Sequence, residues 1–300
     1  MENIRIVRYL MPGQAPKLGI NKAGVIHDFT PSITSFQELV QLAQKSQPTQ
    51  ALLEFVQGLS TTPTKYNYQD LDCTPDGNKP HLLIPLEPPE VWGAGVTYER
   101  SRVARGVEES ATVGIYDKVY EAERPELFFK ATPSRCVGPN QASGIRADSR
   151  WTVPEPELGV VLGAQGEILA YSLGNDMNAR DIEGENPLYL PQAKIHRACF
   201  SFGPGLLLTD LETARNMVIE CRITRKNQEV FRAETNTARI HRPLTNMIEY
   251  LRRMDIPVFT VLSTGTGIVP PTEFALEEGD VIEISSPEIG VLRNPVTRVS

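Results

Sequence analysis

Short apolar runs separated by Gly and Pro clusters dominate the chain beyond residue 81: ELFFK, LGVVLG, EILAYSLG, GPGLLL, NMVIECRIT, FTVLSTG, DVIEISS and VLRNPV. Runs this short, bounded by turn residues and rich in branched side chains, predict strands. Upstream, NIRIVRYL alternates as a strand does, and KLGI-NKAG-VIHDF reads as a hairpin turning through Asn21 to Gly24. Ser35 and Glu38 form a capping box ahead of Leu39, Val40 and Leu42, so a short helix follows, which ALLEFVQGL could continue. Two further stretches carry apolar residues at helical spacing: TYERSRVARGVEES, with Val103, Ala104 and Val107, and TNMIEYLRRM, with Met247, Ile248 and Leu251. Strands outnumber helices and no regular βαβ alternation appears, which argues against a doubly wound sheet and for an α+β, mostly β fold. The polar, proline-dotted stretch from Thr61 to Pro89 divides a small α+β unit, residues 1–80, from a larger unit, residues 81–300.

Composition adds mainly exclusions. With 40% hydrophobic and 22% charged residues the chain is an ordinary globular one. Its net charge of −7, without a basic tract, makes nucleic acid an unsuitable partner. MENIRIVRYL lacks a signal-peptide core and no apolar run approaches the ~20 residues of a membrane span, so a cytoplasmic protein without a membrane partner is expected. Cys73, Cys136, Cys199 and Cys221 are too dispersed to signal zinc or a disulfide framework.

The candidate chemistry starts at VPEPELGVVLG. Period two puts Glu155 and Glu157 on one face of a strand, with Pro156 and Leu158 on the other. Like charges crowded together force one carboxyl to keep its proton unless a cation sits between them. GAQG then turns the chain and EILAYSLG returns. A two-residue turn at Ala164-Gln165 or at Gln165-Gly166 sets Glu155 opposite Gly174 or Asp176, and both registers bring Asp176 to the glutamates' face. A three-residue loop without a compensating bulge would turn Asp176 away. Three converging carboxylates with no histidine make a hard oxygen site, suited to Mg²⁺ or Mn²⁺; a solvated strand edge is the plainer alternative.

Other groups carry less. In ELFFK, Glu126, Phe128 and Lys130 share one face, as a charged wall or as an edge-strand ion pair. Lys194, among apolar and proline residues in NPLYLPQAKIH, is either a buried proton shuttle or a snorkelling surface lysine. LSTGTGIVPP could offer N–H groups and hydroxyls to a carboxylate, or be a polar turn. WGAGVTY has Tyr98 where a dinucleotide fingerprint needs glycine, and no G-x-S-x-G accompanies the scattered histidines.

Taken in order, VPEPELGVVLG, GNDMNARD, PQAKIH, FGPG, GDVIEI and IGVLRNPV resemble the fumarylacetoacetate hydrolase family from about Pro85 to Val299. The resemblance implies a mixed β-roll in the C-terminal unit, Mg²⁺ held by Glu155, Glu157 and Asp176, a 2-oxo acid substrate, and a homo-oligomer, dimer or tetramer. It also implies that Lys194 is the active-site lysine and Thr266 a substrate-side threonine. Hydrolytic members carry a lid histidine where this chain has Ser101. GAGVTYERSRVAR, RPELFFKATPSRCVGP and NPLYLPQAK are similar to the sugar-acid branch, the 2-keto-3-deoxy-pentonate dehydratases, which carries Glu126 over as an active-site carboxylate. Catalytic roles are thus expected for Glu126 and Lys194, and substrate contacts for Thr266 and, at the lid position, Ser101. Three carboxylates and a substrate carboxylate exceed a divalent ion by two charges, so Lys130, Arg102 and Arg105 are expected beside the substrate as well. The expected reaction is loss of water from 2-dehydro-3-deoxy-D-arabinonate or -xylonate to give 2,5-dioxopentanoate. The alternatives are acylpyruvate hydrolysis or oxaloacetate decarboxylation, and non-catalytic binding of a 2-oxo acid.

Overall fold

The structure is a computed structural model and describes residues 4–29, 33–43, 48–99 and 115–300. Among the described residues the backbone forms a twelve-stranded sheet, a five-stranded sheet and a two-stranded ribbon. The spine of the large sheet runs Lys65–Asn67, Val25–Asp28, Lys17–Lys22, Ile4–Leu10, Phe200–Leu208, Ile168–Asp176, Pro156–Leu162, Thr260–Ser263, Val91–Gly95 and Glu126–Ala131. The N-terminal strands therefore extend the sheet that contains the carboxylate strands, through antiparallel pairing of Ile4 with Leu208 and Ile6 with Leu206. Their hairpin turns on Ala23 and Gly24, both at positive φ, the geometry of a two-residue turn that matches strand twist.

The second sheet orders Gln228–Asn236, Val218–Arg225, Val281–Ser286, Gly290–Val299 and Ser143–Arg146. Its inward residues Ile219, Cys221, Ile223, Ile282, Ile284 and Leu292 share a core with Leu158, Val160 and Leu162 of the large sheet. The opposite face of Pro156–Leu162 sends Val161 into a second core with Phe200, Phe202 and Val261. This strand is buried on both sides, which is why LGVVL reads as a continuous apolar run. Truncating a residue such as Leu158 to Ala would cost about 2–5 kcal/mol.

Half of the expected capping box forms, with Glu38 N–H donating to Ser35 Oγ at the start of the helix Phe36–Ala43, while the Glu38 carboxylate accepts from the N–H and hydroxyl of Thr34 rather than from Ser35 N–H. A separate helix, Pro48–Gly58, takes the ALLEFVQGL stretch. Leu244–Arg252 docks Leu244, Met247, Ile248 and Leu251 on the first core. The helix expected over TYERSRVARGVEES falls almost wholly outside the described residues. No helix among the described residues is long and apolar enough to cross a membrane.

A candidate metal centre

The hairpin decides whether the carboxylates meet. Pro156 pairs with Asn175 and Glu157 with Gly174, and this register sets Glu155 opposite Asp176. The turn is not the two-residue loop expected: Gly163 N–H donates to Glu167 O, enclosing three residues. Parity survives because Val161 pairs with Ala170 while Leu162 pairs with Ile168, so Leu169 is one extra residue. The bulge absorbs the odd residue and returns Asp176 to the glutamates' face.

Glu155, Glu157 and Asp176 are all buried, and one ligand oxygen from each lies within 4.8 Å of the others. Glu155 Oε1 accepts from Asn178 Nδ2 at 2.9 Å and Arg180 Nη2 at 3.3 Å, and its Oε2 from Lys194 Nζ at 2.5 Å. The same ammonium donates to Asp176 Oδ2 at 2.8 Å and lies 5.4 Å from the centre of the Phe128 ring. Glu157 Oε2 accepts from Ser263 Oγ at 2.5 Å and Gly265 N–H at 2.8 Å. Gly174, opposite Glu157, has no side chain; a Cβ there would come within 3.1 Å of the Phe200 ring and 3.5 Å of Ser263 Oγ. Burial, then the charges of Asp176 and Glu155, push the Glu157 carboxyl up to about 8.

The Gly-rich loop does present an N–H to a carboxylate, and that carboxylate is the protein's own Glu157. Gly265 can do this because its φ is +86 and because a Cβ there would press on Thr97 Oγ1 and approach Ala94 O at 2.8 Å. Thr97 Oγ1 in turn donates to Thr264 O at 2.6 Å, tying the loop to the segment after Val91–Gly95. Thr266 is buried in a local turn in which its Oγ1 accepts from Ile268 N–H at 3.1 Å. Next to the loop, Tyr98, Glu99, Thr235, Arg239, His241 and Gly267 help to line a cavity of about 480 Å³.

The donor set fits a hard divalent cation: three crowded carboxylates, no nitrogen or sulfur ligand among the described residues, and one carboxyl driven to hold a proton in the cation's stead. Lys194 is buried at the cluster, which settles its two readings against a snorkelling surface lysine. Glu126 lies against Gly95, on the same side of its strand as Phe128 against Gly93. Lys130, expected beside the substrate, is fully buried, with its ammonium 2.5 Å from Asp176 Oδ1 as an ion contact that lacks hydrogen-bond alignment. Ser101, Arg102 and Arg105 lie outside the described residues. Sequence reasoning did not single out Ser263, Asn178, Arg180 or Glu183, whose carboxylate accepts from Asn178 Nδ2 at 2.6 Å. The available signal was position: Asn178 and Arg180 follow Asp176 closely in GNDMNARD, and Ser263 opens the Gly-rich loop.

Residues 91–297 match the family model of the fumarylacetoacetate (FAA) hydrolase C-terminal domain. A 2-dehydro-3-deoxy-D-arabinonate dehydratase of Saccharolobus solfataricus is 42% identical over 259 residues, 84% of this chain and 87% of that one. A probable 2-keto-3-deoxyxylonate dehydratase of Haloferax volcanii is 46% identical over 221 residues, 73% of this chain and 76% of that one. Among solved structures, a 2-keto-3-deoxy-D-arabinonate dehydratase complexed with magnesium and 2,5-dioxopentanoate superposes with a TM-score of 0.80 at 35% identity, covering 98% of this chain and 99% of that one. Its carboxylate hairpin, its mostly β architecture and these similarities along most of its length make the chain a member of the fumarylacetoacetate hydrolase family.

Proposed function

We propose that the protein is a Mg²⁺-dependent dehydratase that converts a 2-keto-3-deoxy-pentonate, 2-dehydro-3-deoxy-D-arabinonate or its xylonate counterpart, to 2,5-dioxopentanoate. The observation that carries this reading is the buried trio Glu155, Glu157 and Asp176 with the Lys194 ammonium against two of its members. The activities named for the relatives support the substrate class.

Glu155, Glu157 and Asp176 would hold the ion, Mg²⁺ with Mn²⁺ as a substitute. When bound, it supplies Lewis acidity to the 2-oxo group, which makes the C3 protons easier to remove. Lys194 and Glu126 form the acid–base pair: one takes a proton from C3, and the other protonates the C4 hydroxyl so that it departs as water. The remaining 5-hydroxy enone becomes 2,5-dioxopentanoate when the protons of the C5 carbon and its hydroxyl return to C3 and C4. Phe128, packed against Lys194, excludes water from one side of that lysine. Thr266, Ser101, Arg102 and Arg105 contact the substrate in this reading. Charge supports it too. Among the described residues, the buried carboxylates of Glu155, Glu157, Asp176 and Glu183 exceed the buried cations Lys130, Lys194 and Arg180 by one negative charge, the sign that a divalent cation offsets.

The test is turnover of both pentonates, with acylpyruvates and oxaloacetate alongside. Dioxopentanoate should appear with Mg²⁺ and cease on addition of EDTA. Hydrolysis of an acylpyruvate with both pentonates untouched would reverse the assignment. A homo-oligomer, dimer or tetramer, is part of the same proposal and is read by light scattering.

A further inference from the structure

Lys130 occupies an irregularity in its strand. Glu126 through Phe129 pair in order with Gly95 through Trp92, and then Val91 pairs with Ala131, leaving Lys130 as the extra residue. A bulge gives up a ladder pairing and re-aims one side chain. Here the re-aimed side chain is a lysine with no exposed surface. An ammonium carries its charge and its donors on one atom, and this one touches three groups: it donates to Met177 O at 2.9 Å and to Lys194 O in a close contact, and it lies 2.5 Å from Asp176 Oδ1 as an ion pair. They belong to the carboxylate at the end of Ile168–Asp176, to the residue after it, and to the last residue of the helix Leu190–Lys194. That last residue sends its own ammonium back to Glu155 and Asp176.

We infer that Lys130 is a positioning residue: from behind the centre it fixes the Asp176 carboxylate and the Lys194 backbone together, and so sets the reach of the Lys194 ammonium, without touching substrate. The inference rests on the reading of Asp176 as a metal ligand and Lys194 as half of the acid–base pair. The Lys130 ammonium has no exposed surface for a substrate carboxylate to meet. Arginine cannot take over the role, because a planar guanidinium fork does not address three divergent groups in a fully enclosed space.

Lys130→Met and Lys130→Arg test it. Wild type and variants are compared by Mg²⁺ calorimetry, by kcat and KM on 2-keto-3-deoxy-D-arabinonate, and by calorimetric binding of pyruvate, an unreactive 2-oxo acid, to the Mg²⁺-loaded proteins. A positioning role lowers kcat about 100-fold in Lys130→Met and about 10-fold in Lys130→Arg, while KM and the pyruvate Kd stay within about threefold. Unchanged pyruvate stoichiometry separates this from a loss of folded protein. If Lys130→Met does not fold, Lys130→Arg, which keeps the charge, decides the matter. Preserved kcat with KM and pyruvate Kd both raised would make Lys130 a substrate ligand and overturn the inference, as would variants indistinguishable from wild type. Failure of wild type to bind Mg²⁺ would instead remove the metal reading beneath it.

Discussion

Replacing Glu157 with Gln should stabilise the metal-stripped protein and abolish its response to Mg²⁺. The Glu157 carboxylate is buried within 4.8 Å of Glu155 and Asp176, and it accepts hydrogen bonds from Ser263 and Gly265, which are neutral donors. At an effective dielectric constant of about 20, two unit charges 4.8 Å apart repel by about 3.5 kcal/mol. Burial acts in the same direction, and the carboxyl is held up to about 8 against a usual 4.5. The unfolded chain ionises Glu157 near 4.5 and the folded chain near 8, so stability is full below that window and is lost as pH rises through it. At pH 7 most of the window is crossed, a cost to the folded state of about 3 kcal/mol that glutamine does not incur. For a chain of this size that is a rise in Tm of roughly 5–10 °C. Differential scanning calorimetry in EDTA from pH 4 to 8.5 reads it: variant and wild type converge at the acid end, and the variant's advantage grows with pH. Added Mg²⁺ at about 100 times its Kd should raise wild-type stability by about 2.7 kcal/mol and leave the variant unmoved. A variant that melts below wild type at pH 8 in EDTA, or gains equally from Mg²⁺, would refute the electrostatic account.

Three further outcomes follow from the same geometry. Asn178→Ala removes the amide that donates to Glu155 and Glu183, and Mg²⁺ affinity should fall about 10–100-fold by calorimetry. Gly265→Ala puts a Cβ at a φ of +86 and within 2.8 Å of Ala94 O, which should cost about 1–3 kcal/mol in urea unfolding and weaken Mg²⁺ binding through Glu157. Burial, then the Lys130 charge, pushes His196 down to about 4, while its ring nitrogen donates to Gly144 O at 3.1 Å. Stability from this group is full above the usual 6.5 and declines as pH falls toward 4, by up to about 3 kcal/mol, so a His196→Gln protein should show a flatter acid slope; an unchanged slope would refute the assignment.

Much of the centre was legible because period-two geometry is local. Glu155 and Glu157 had to share a face once their strand was recognised, and the apolar runs marked that strand, its return and most of the other strands. The resemblance of ordered motifs then supplied the chemistry that an isolated E-x-E could not. What stayed illegible was set by contacts between residues far apart in sequence. Ser263 reaches Glu157 across 106 positions, and Lys130 reaches Met177 O across 47.

By itself the chain determined the strand-rich class, the common face of the two glutamates and the candidacy of Asp176, because alternation and turn residues act over a few neighbours. Tertiary structure alone decided that Asp176 faces them, since the three-residue loop and the Leu169 bulge offset each other by one residue, and parity is a property of the paired strands rather than of either strand. It also decided which lysine lies against two carboxylates and which is walled in behind one of them, because burial and charge pairing depend on what the rest of the fold packs around each ammonium.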